Sequence, residues 1–120
     1  MKFPRVGLTT ALLLALAALA TSPAAAAESI RIGFMGPLTG IFAQAGKDML
    51  DGLKMSLEQV NYQAGGRKIE LIEEDTEGNA ATAIAKYRKL VDHDKIHVMT
   101  GILLVNVGNS LVPLIERDRL

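Results

Sequence analysis

Two glycine-containing stretches could bring backbone N–H groups close to a bound anion. One is GFMGPLTG at residues 33–40, which follows an apolar run and precedes a long helical pattern. The other is GILLVN at residues 101–106, which also follows an apolar run. A loop that leads into a helix presents free backbone N–H groups, and these favour a phosphate or a carboxylate. The alternative is that the glycines only form tight turns between a strand and a helix.

Known phosphate- and cofactor-binding motifs do not fit these stretches. Residues 40–48 place five residues before the Gly-Lys pair instead of the four of a phosphate loop, and Asp48 stands where Ser or Thr belongs. The glycines of residues 33–40 lack the spacing of a dinucleotide fingerprint. Residues 75–86 imitate a calcium loop at three positions, but Ala80 and Lys86 replace its invariant Gly and its bidentate Glu.

The remaining polar residues do not form a recognisable reactive cluster. His93 and His97 straddle the end of a helix and the start of a strand, so we expect them not to share one face. We interpret the acidic run Glu73, Glu74, Asp75 and Glu77 as a solvated loop, in which Asp75 can order a neighbouring loop. The sequence therefore predicts no catalytic residue, no metal site, no cofactor and no enzyme activity.

Composition argues against a nucleic-acid partner. The 120 residues carry 13 basic and 13 acidic side chains, and only 4% are aromatic, which leaves few platforms for base stacking. There is no Cys, so no disulfide can form.

Residues 1–27 have the pattern of a secretory signal peptide. Lys2 and Arg5 precede an apolar run of 15 residues, and small residues stand at Ala25 and Ala27. The alternative, an uncleaved membrane anchor, needs roughly 20 apolar residues. We predict cleavage after Ala27 and a periplasmic or secreted product, residues 28–120, with 11 basic and 13 acidic groups and a net charge of −2.

The rest of the chain alternates strand and helix patterns. We predict strands at residues 29–35, 68–73 and 96–100. We predict helices at residues 42–61, from an N-cap at Asn79 to about residue 92, and at residues 105–115, the last kinked or restarted by Pro113. The glycine pair at residues 65–66 is interpreted as the end of the first helix. This β-α-β-α-β-α order predicts the α/β class, with a partial doubly wound parallel sheet.

In such a sheet, ligands bind beyond the carboxyl ends of the strands, where the strand order reverses. With a spatial order of 2-1-3, that point lies between the first and third strands. We name the segments that leave the three strands the first exit loop (residues 36–42), the second exit loop (residues 73–79) and the third exit loop (residues 101–106).

The sequence resembles the N-terminal part of type I periplasmic solute-binding proteins of ABC transporters, of the leucine/isoleucine/valine-binding type. The matching features are IGFMGPLTG at residues 32–40, the Gly and Asp pattern of the first helix from Gly46 to Leu57, the GG pair, the Asp75 loop with its Ala-rich helix, and VMTG at residues 98–101. The resemblance covers nearly all of residues 28–120.

The resemblance implies a bilobed protein that closes on a small ligand and delivers it to an ABC permease in the inner membrane. The implied ligand is an amino acid, an amide or an aromatic acid. The implied ligand-binding residues come from the first exit loop, from Ala45 shortly after it, and from the third exit loop: Leu38, Thr39, Gly40, Phe42, Ala45, Gly101, Leu103, Leu104, Val105 and Asn106.

Three departures from the family pattern affect what we expect. Ala45 stands where an aromatic residue is frequent, and the third exit loop has ILLV where Ser or Thr is usual, which makes its wall more apolar and favours aromatic acids. The chain also ends before a second lobe, so we expect it to be an N-terminal fragment that binds weakly alone. The alternative functions are a ligand-sensing ectodomain of a signalling receptor and a small secreted α/β enzyme.

Overall fold

The computed structural model describes residues 27–120, which form a four-stranded sheet with three helices. The elements in chain order are β1 (Ile30–Gly36), α1 (Ala43–Gln59), β2 (Gln63–Ala64), β3 (Arg67–Asp75), α2 (Ala80–Arg88), β4 (Val98–Gly101) and α3 (Val105–Asp118). A π-helical turn, Lys89–His93, extends α2. The predicted signal peptide lies outside the described residues, apart from Ala27. None of the helices within residues 27–120 combines the length and the apolar character that crossing a bilayer requires.

β1 is the central strand of the sheet. It pairs in parallel with β3, from Ile30 opposite Ile69 to Gly36 opposite Asp75. It also pairs in parallel with β4, where Met35 lies opposite Gly101. The sheet order is β2-β3-β1-β4. Among the three predicted strands this is the order 2-1-3, so the predicted topology and the α/β class are confirmed.

The short strand β2 was not predicted. Gln63 and Ala64 pair antiparallel with Lys68 and Arg67 of β3. The glycine pair at residues 65–66 forms the turn of this hairpin, and its φ angles of 57° and 75° are costly for residues with a Cβ. Interpreting the pair as a helix end was therefore wrong, because α1 already ends at Gln59.

Several predicted boundaries differ from those observed. β3 continues to Asp75, two residues beyond the predicted end, and β4 starts at Val98 instead of residue 96. The predicted restart at Pro113 is wrong, because α3 runs through it to Asp118. Pro113 leaves the Asn109 carbonyl without its helical donor, but both residues are exposed and water can take the place of that donor.

The helices cover the two faces of the sheet and bury a core on each. On one face, α2 packs over β1 and β3, and α3 packs against α2. The buried cluster on this face comprises Met35, Ala83, Tyr87, Leu90, Ile96, Val107 and Leu111. Side chains alternate along a strand, so Phe34 faces the opposite side, where Lys54 of α1 pairs with Glu73 of β3 at 2.7 Å. The Tyr87 hydroxyl donates to Asp118 at 3.1 Å and so joins α2 to α3.

Tyr87 is the largest of the fully buried side chains. Burial, together with the neighbouring Asp118 carboxylate, raises the pKa of Tyr87 to about 12. Its hydroxyl therefore stays protonated at neutral pH and remains a donor.

Glu74 is the buried carboxylate of the core, with only 6% of its surface exposed. Its two oxygens accept from Lys86 at 2.8 Å and from Lys89 at 2.6 Å, both on the helical segment that covers it. Burial raises the pKa of Glu74, but the two lysines outweigh that effect and hold it below its usual value of 4.5. The prediction of a solvated loop is therefore wrong for Glu74, because β3 extends through it and turns it towards α2.

Gly46 allows α1 to approach the end of β1. A Cβ at Gly46 would overlap the Pro37 carbonyl oxygen, whereas a Cβ at Gly52 in the same helix would meet nothing within 4 Å. The first turn of α1 can therefore lie against the first exit loop because Gly46 has no side chain.

We expect Gly46→Ala to lower the free energy of unfolding by about 1–3 kcal/mol, as overpacking does. Gly52→Ala is the matched control and should raise it by roughly 0.5–1 kcal/mol, because alanine loses less backbone entropy in a helix. Urea denaturation followed by circular dichroism measures both changes. Equal effects of the two alanines would contradict the close approach at Gly46.

We expect Glu74→Gln to lower the free energy of unfolding at neutral pH by about 1–2 kcal/mol, since it removes a buried charge-assisted pair. The folded-state pKa of Glu74 is lowered, so its stabilisation is present above pH 4.5 and is lost as the pH falls through the folded-state pKa. The difference between wild type and variant should therefore shrink on acidification.

The control for this variant is Glu73→Gln, which removes an adjacent carboxylate whose lysine partner lies on the other face. Its side chain is 36% exposed, so we expect a change of only about 0–1 kcal/mol. Urea denaturation at several pH values compares the two variants. A pH-independent deficit in Glu74→Gln would show that the carboxylate does not act through its charge.

Candidate functional site

The three exit loops meet at the carboxyl edge of the sheet, as the predicted topology requires. Their meeting point is Gly78 of the second exit loop. A Cβ placed on Gly78 would lie 3.2 Å from Leu104 Cδ1 and 3.7 Å from Phe42 Cδ2. The φ of Gly78 is 67°, which also favours glycine. Phe42 of the first exit loop and Leu104 of the third therefore flank the same glycine and form an apolar junction at this edge.

Asp75 fastens the first exit loop to the end of β3. Its Oδ1 accepts from the Leu38 N–H at 2.8 Å and from the Glu77 N–H at 2.7 Å. Its Oδ2 accepts from the Thr39 hydroxyl at 2.6 Å. The prediction that Asp75 orders a neighbouring loop is confirmed, and the parallel register that sets Gly36 opposite Asp75 explains why the carboxylate reaches that loop.

The Asp75 carboxyl is ionised at neutral pH. Its partial burial raises the pKa, but hydrogen bonds from the Thr39 hydroxyl and from backbone N–H groups outweigh burial and lower it from the usual 3.8. Asp75 therefore places a negative charge at the carboxyl edge, between the first and second exit loops.

The third exit loop turns sharply away from β4. Gly101 has a φ of 102°, and a Cβ there would overlap the Met35 carbonyl oxygen. The next residue, Ile102, donates its N–H to the same oxygen at 2.7 Å and has a φ of 63°. This conformation is strained for a β-branched residue, so the tertiary packing around the loop must hold it.

The helix N-termini at this edge differ in how they are capped. The Asn79 side chain caps α2, as predicted, by accepting from the N–H groups of Ala81 at 2.8 Å and Thr82 at 3.1 Å. No side chain caps α1, which follows Phe42, or α3, which follows Leu104. The Ala43 N–H, the first of α1, donates to the Gly40 carbonyl at 3.2 Å. The other N–H groups in the first turns of α1 and α3 have no partner within their helices and are the ones suited to an anion.

The structure brings together only part of the residue set implied by the resemblance. Phe42 and Leu104 meet through Gly78, while Leu38 and Thr39 are held on Asp75. The exposed members are Thr39, Gly40, Phe42, Ala45, Leu103, Val105 and Asn106. Gly78 and Asp75 are additional residues of the edge; the positive φ of Gly78 and the length of β3 could not be read from spacing alone.

An apolar groove of about 330 Å³ lies between residues of the third exit loop and of α3. Its lining consists of Ile102, Leu103, Leu104, Val105, Gly108, Asn109, Val112 and Ile115. No residue of the first exit loop lines it. The groove therefore belongs to the third exit loop and α3, and it is not a pocket enclosed between the two loops.

The two histidines have separate local roles. His93 Nδ1 lies 2.7 Å from Asp94 Oδ1, and His97 Nδ1 accepts from the Arg31 N–H at 3.0 Å. Across residues 27–120 there is no group of three or more side chains that could hold a metal ion. The features at the carboxyl edge are therefore backbone N–H groups, an ionised carboxylate and an apolar junction. Together they can bind a small solute that has a polar end and an apolar body.

Known proteins with related sequence and fold are binding proteins. A curated relative from Pseudomonas aeruginosa, named amino acid binding protein, is 33% identical over 78 residues, which cover 63% of this chain and 21% of that protein. The solved ABC transporter substrate-binding protein from Sphaerobacter thermophilus is 36% identical, with a TM-score of 0.75 over 77% of this chain and 25% of that one.

A third related protein shares the fold at lower identity. The solute-binding protein of an ABC transporter from R. palustris, solved in complex with 4-hydroxybenzoate, is 21% identical with a TM-score of 0.71. The alignment covers 76% of this chain and 25% of that protein. The chain thus spans about a quarter or less of the length of these three relatives.

The family described as periplasmic binding protein matches residues 29–120 of the sequence. This range contains all four strands of the sheet, all three exit loops and the three helices. The chain therefore belongs to the periplasmic binding protein family.

Proposed function

We propose that the chain forms the first part of lobe 1 of the solute-binding component of an ABC uptake transporter. Its ligand is an amino acid or a similar small carboxylate-bearing solute, with aromatic acids included. The observation that carries the proposal is the family match over residues 29–120, which contains all three exit loops. The proposal assigns residues 28–120 to this lobe, after removal of residues 1–27 in the periplasm, and assigns the chain a binding role without catalysis.

The geometry of the carboxyl edge supports a ligand with one anionic end. The N-termini of α1 and α3 carry no side-chain cap, so the N–H groups of their first turns are available to a carboxylate, apart from that of Ala43, which donates to the Gly40 carbonyl. The second helix at the edge, α2, is capped by Asn79 and is therefore the one not suited to this role.

The apolar junction supports a ligand with an apolar body. Phe42 is 41% exposed beside Gly78, and Leu103 is 38% exposed on the third exit loop. Apolar surface of this kind gains free energy when a ligand covers it. The loop carries no hydroxyl between Gly101 and Asn106, so selectivity there comes from apolar contact. This favours branched aliphatic and aromatic bodies over strongly polar ones.

The proposed partner is an ABC permease of the inner membrane. Delivery to it belongs to the complete binding protein, of which this chain corresponds to about a quarter. The exit loops described here would form one wall of its ligand cleft. With one wall, the chain alone should bind at millimolar concentrations, where the free energy of binding is about −4 kcal/mol.

The proposal predicts saturable ligand-induced shifts of the backbone amides at residues 39–45 and 102–107. The measurement is a titration of the isotope-labelled chain by NMR with L-leucine, benzoate and 4-hydroxybenzoate. L-Leucinamide, which lacks the carboxylate, should bind several-fold more weakly than L-leucine. Shifts that are absent for all probes, or that lie away from the exit loops, would contradict the proposal.

Leu104→Ala should raise the dissociation constant about fivefold or more, because the loss of even one methylene group from an apolar contact with the ligand costs about 1 kcal/mol or more. The matched control is Met55→Ala, which trims a 61% exposed side chain on α1. It should leave the dissociation constant unchanged. Amide spectra of both variants without ligand report whether the fold is retained, and an equal weakening by both would contradict a role for the apolar junction.

A further inference from the structure

The hydrogen bond between Thr39 and Asp75 has a direction that the chemistry of the two groups dictates. The Thr39 Oγ1 and Asp75 Oδ2 atoms lie 2.6 Å apart. An ionised carboxylate can only accept, whereas a hydroxyl has one proton and can either donate or accept. Because Asp75 is ionised at neutral pH, the Thr39 hydroxyl must be the donor in this pair.

The remaining acceptor positions of Asp75 reinforce this direction. Its other oxygen, Oδ1, accepts from the Leu38 and Glu77 N–H groups at 2.8 and 2.7 Å. These backbone donors cannot be reversed, so the carboxylate is held in one orientation with Oδ2 towards Thr39. Both the position and the proton of the Thr39 hydroxyl are therefore set by Asp75.

The hydroxyl of Thr39 consequently has no proton left for a ligand. Thr39 is exposed at the carboxyl edge, and its oxygen keeps lone pairs that can accept. The adjacent negative charge of Asp75 disfavours a bare anion at this point and favours a donor group. The carboxyl edge thus offers two kinds of binding position. The helix N-termini suit a carboxylate, and the Thr39–Asp75 pair suits a hydrogen-bond donor.

We propose that Asp75 is a positioning residue that turns Thr39 into a hydrogen-bond acceptor towards the ligand, so that the first exit loop selects solutes carrying a hydroxyl or ammonium donor. The inference rests on the proposed function, since it names the chemistry of the ligand bound at that same edge. Thr39 is then the specificity-determining residue of the first exit loop, and Asp75 acts through it.

The first test determines the direction of the hydrogen bond without any ligand. The carboxyl carbon shift of Asp75 is followed against pH in the wild-type chain, in Thr39→Val and in Thr39→Ser. Valine has the shape of threonine without the hydroxyl, so its variant should show a higher pKa for Asp75. Serine keeps the hydroxyl and should restore the wild-type pKa. An unchanged pKa in Thr39→Val would overturn the proposal.

The second test measures selectivity with two matched pairs of probes. The pairs are 4-hydroxybenzoate with 4-methoxybenzoate, and 2-hydroxy-4-methylpentanoate with 2-methoxy-4-methylpentanoate. The members of each pair share a carboxylate, but the hydroxyl of one can donate, whereas the methoxy oxygen of the other can only accept. In the wild-type chain at least one hydroxylated member should bind about fivefold more tightly, the ratio that a net hydrogen bond provides.

Asp75→Asn should abolish that preference. The amide oxygen can still accept from the Leu38 and Glu77 N–H groups, while the amide nitrogen donates to Thr39 and frees its proton. Thr39 can then donate to a hydroxyl oxygen and to a methoxy oxygen alike, so the affinity ratio should fall towards one. Loss of the Asp75 charge affects both members of a pair alike and cancels in the ratio. Asp51→Asn makes the same charge change at an exposed position of α1 and should leave the ratio unchanged.

The two tests separate failure of this inference from failure of the proposed function. An affinity ratio that is the same in the wild type and in Asp75→Asn, with binding retained, would overturn the inference alone. Absence of binding by all four probes and by L-leucine would overturn the proposed function and the ligand role of Thr39 together. In that case the titration would still show which of the two groups donates.

Discussion

The carboxylate of Asp75 connects the part of the structure that supports the sheet with the part that can meet a ligand. It ends β3, and the parallel register places it level with the last residue of β1, where the first exit loop begins. One oxygen holds two backbone N–H groups and the other holds the Thr39 hydroxyl. A single side chain thus orients a loop whose own residues include flexible glycine and would otherwise have many conformations.

Close backbone approach is the second constraint at this edge. Gly46 lets α1 begin against Pro37, and Gly101 lets β4 leave the sheet against Met35. A Cβ at Gly46 would overlap the carbonyl oxygen of Pro37, which follows β1, and a Cβ at Gly101 would overlap the carbonyl oxygen of Met35, near the end of β1. These contacts draw the starts of α1 and α3 to the same edge, and this brings both Phe42 and Leu104 close to the position that a Cβ of Gly78 would occupy. The apolar junction is therefore a consequence of where side chains are missing.

The carboxylates of β3 show how neighbouring positions acquire different roles. Glu73, Glu74 and Asp75 are consecutive, and alternation along the strand sends Glu73 to Lys54 on one face and Glu74 to Lys86 and Lys89 on the other. Asp75, at the strand end, turns to backbone donors instead. The first two carboxylates stabilise the sandwich of helices and sheet, and the third positions the loop. In the sequence the same residues look like one uniform acidic run.

The sequence by itself determined the order of strands and helices along the chain, the parallel character of the sheet and the cap at Asn79. Each depends on local periodicity or on a side chain that reaches only two or three residues along the chain. The tertiary structure decided the β2 hairpin, the passage of α3 through Pro113, the burial of Glu74 and the meeting of Phe42, Gly78 and Leu104. These features depend on which segments pack together. The energetic effect of a proline, a carboxylate or a glycine depends on its neighbours in space. Spacing along the chain does not give those neighbours.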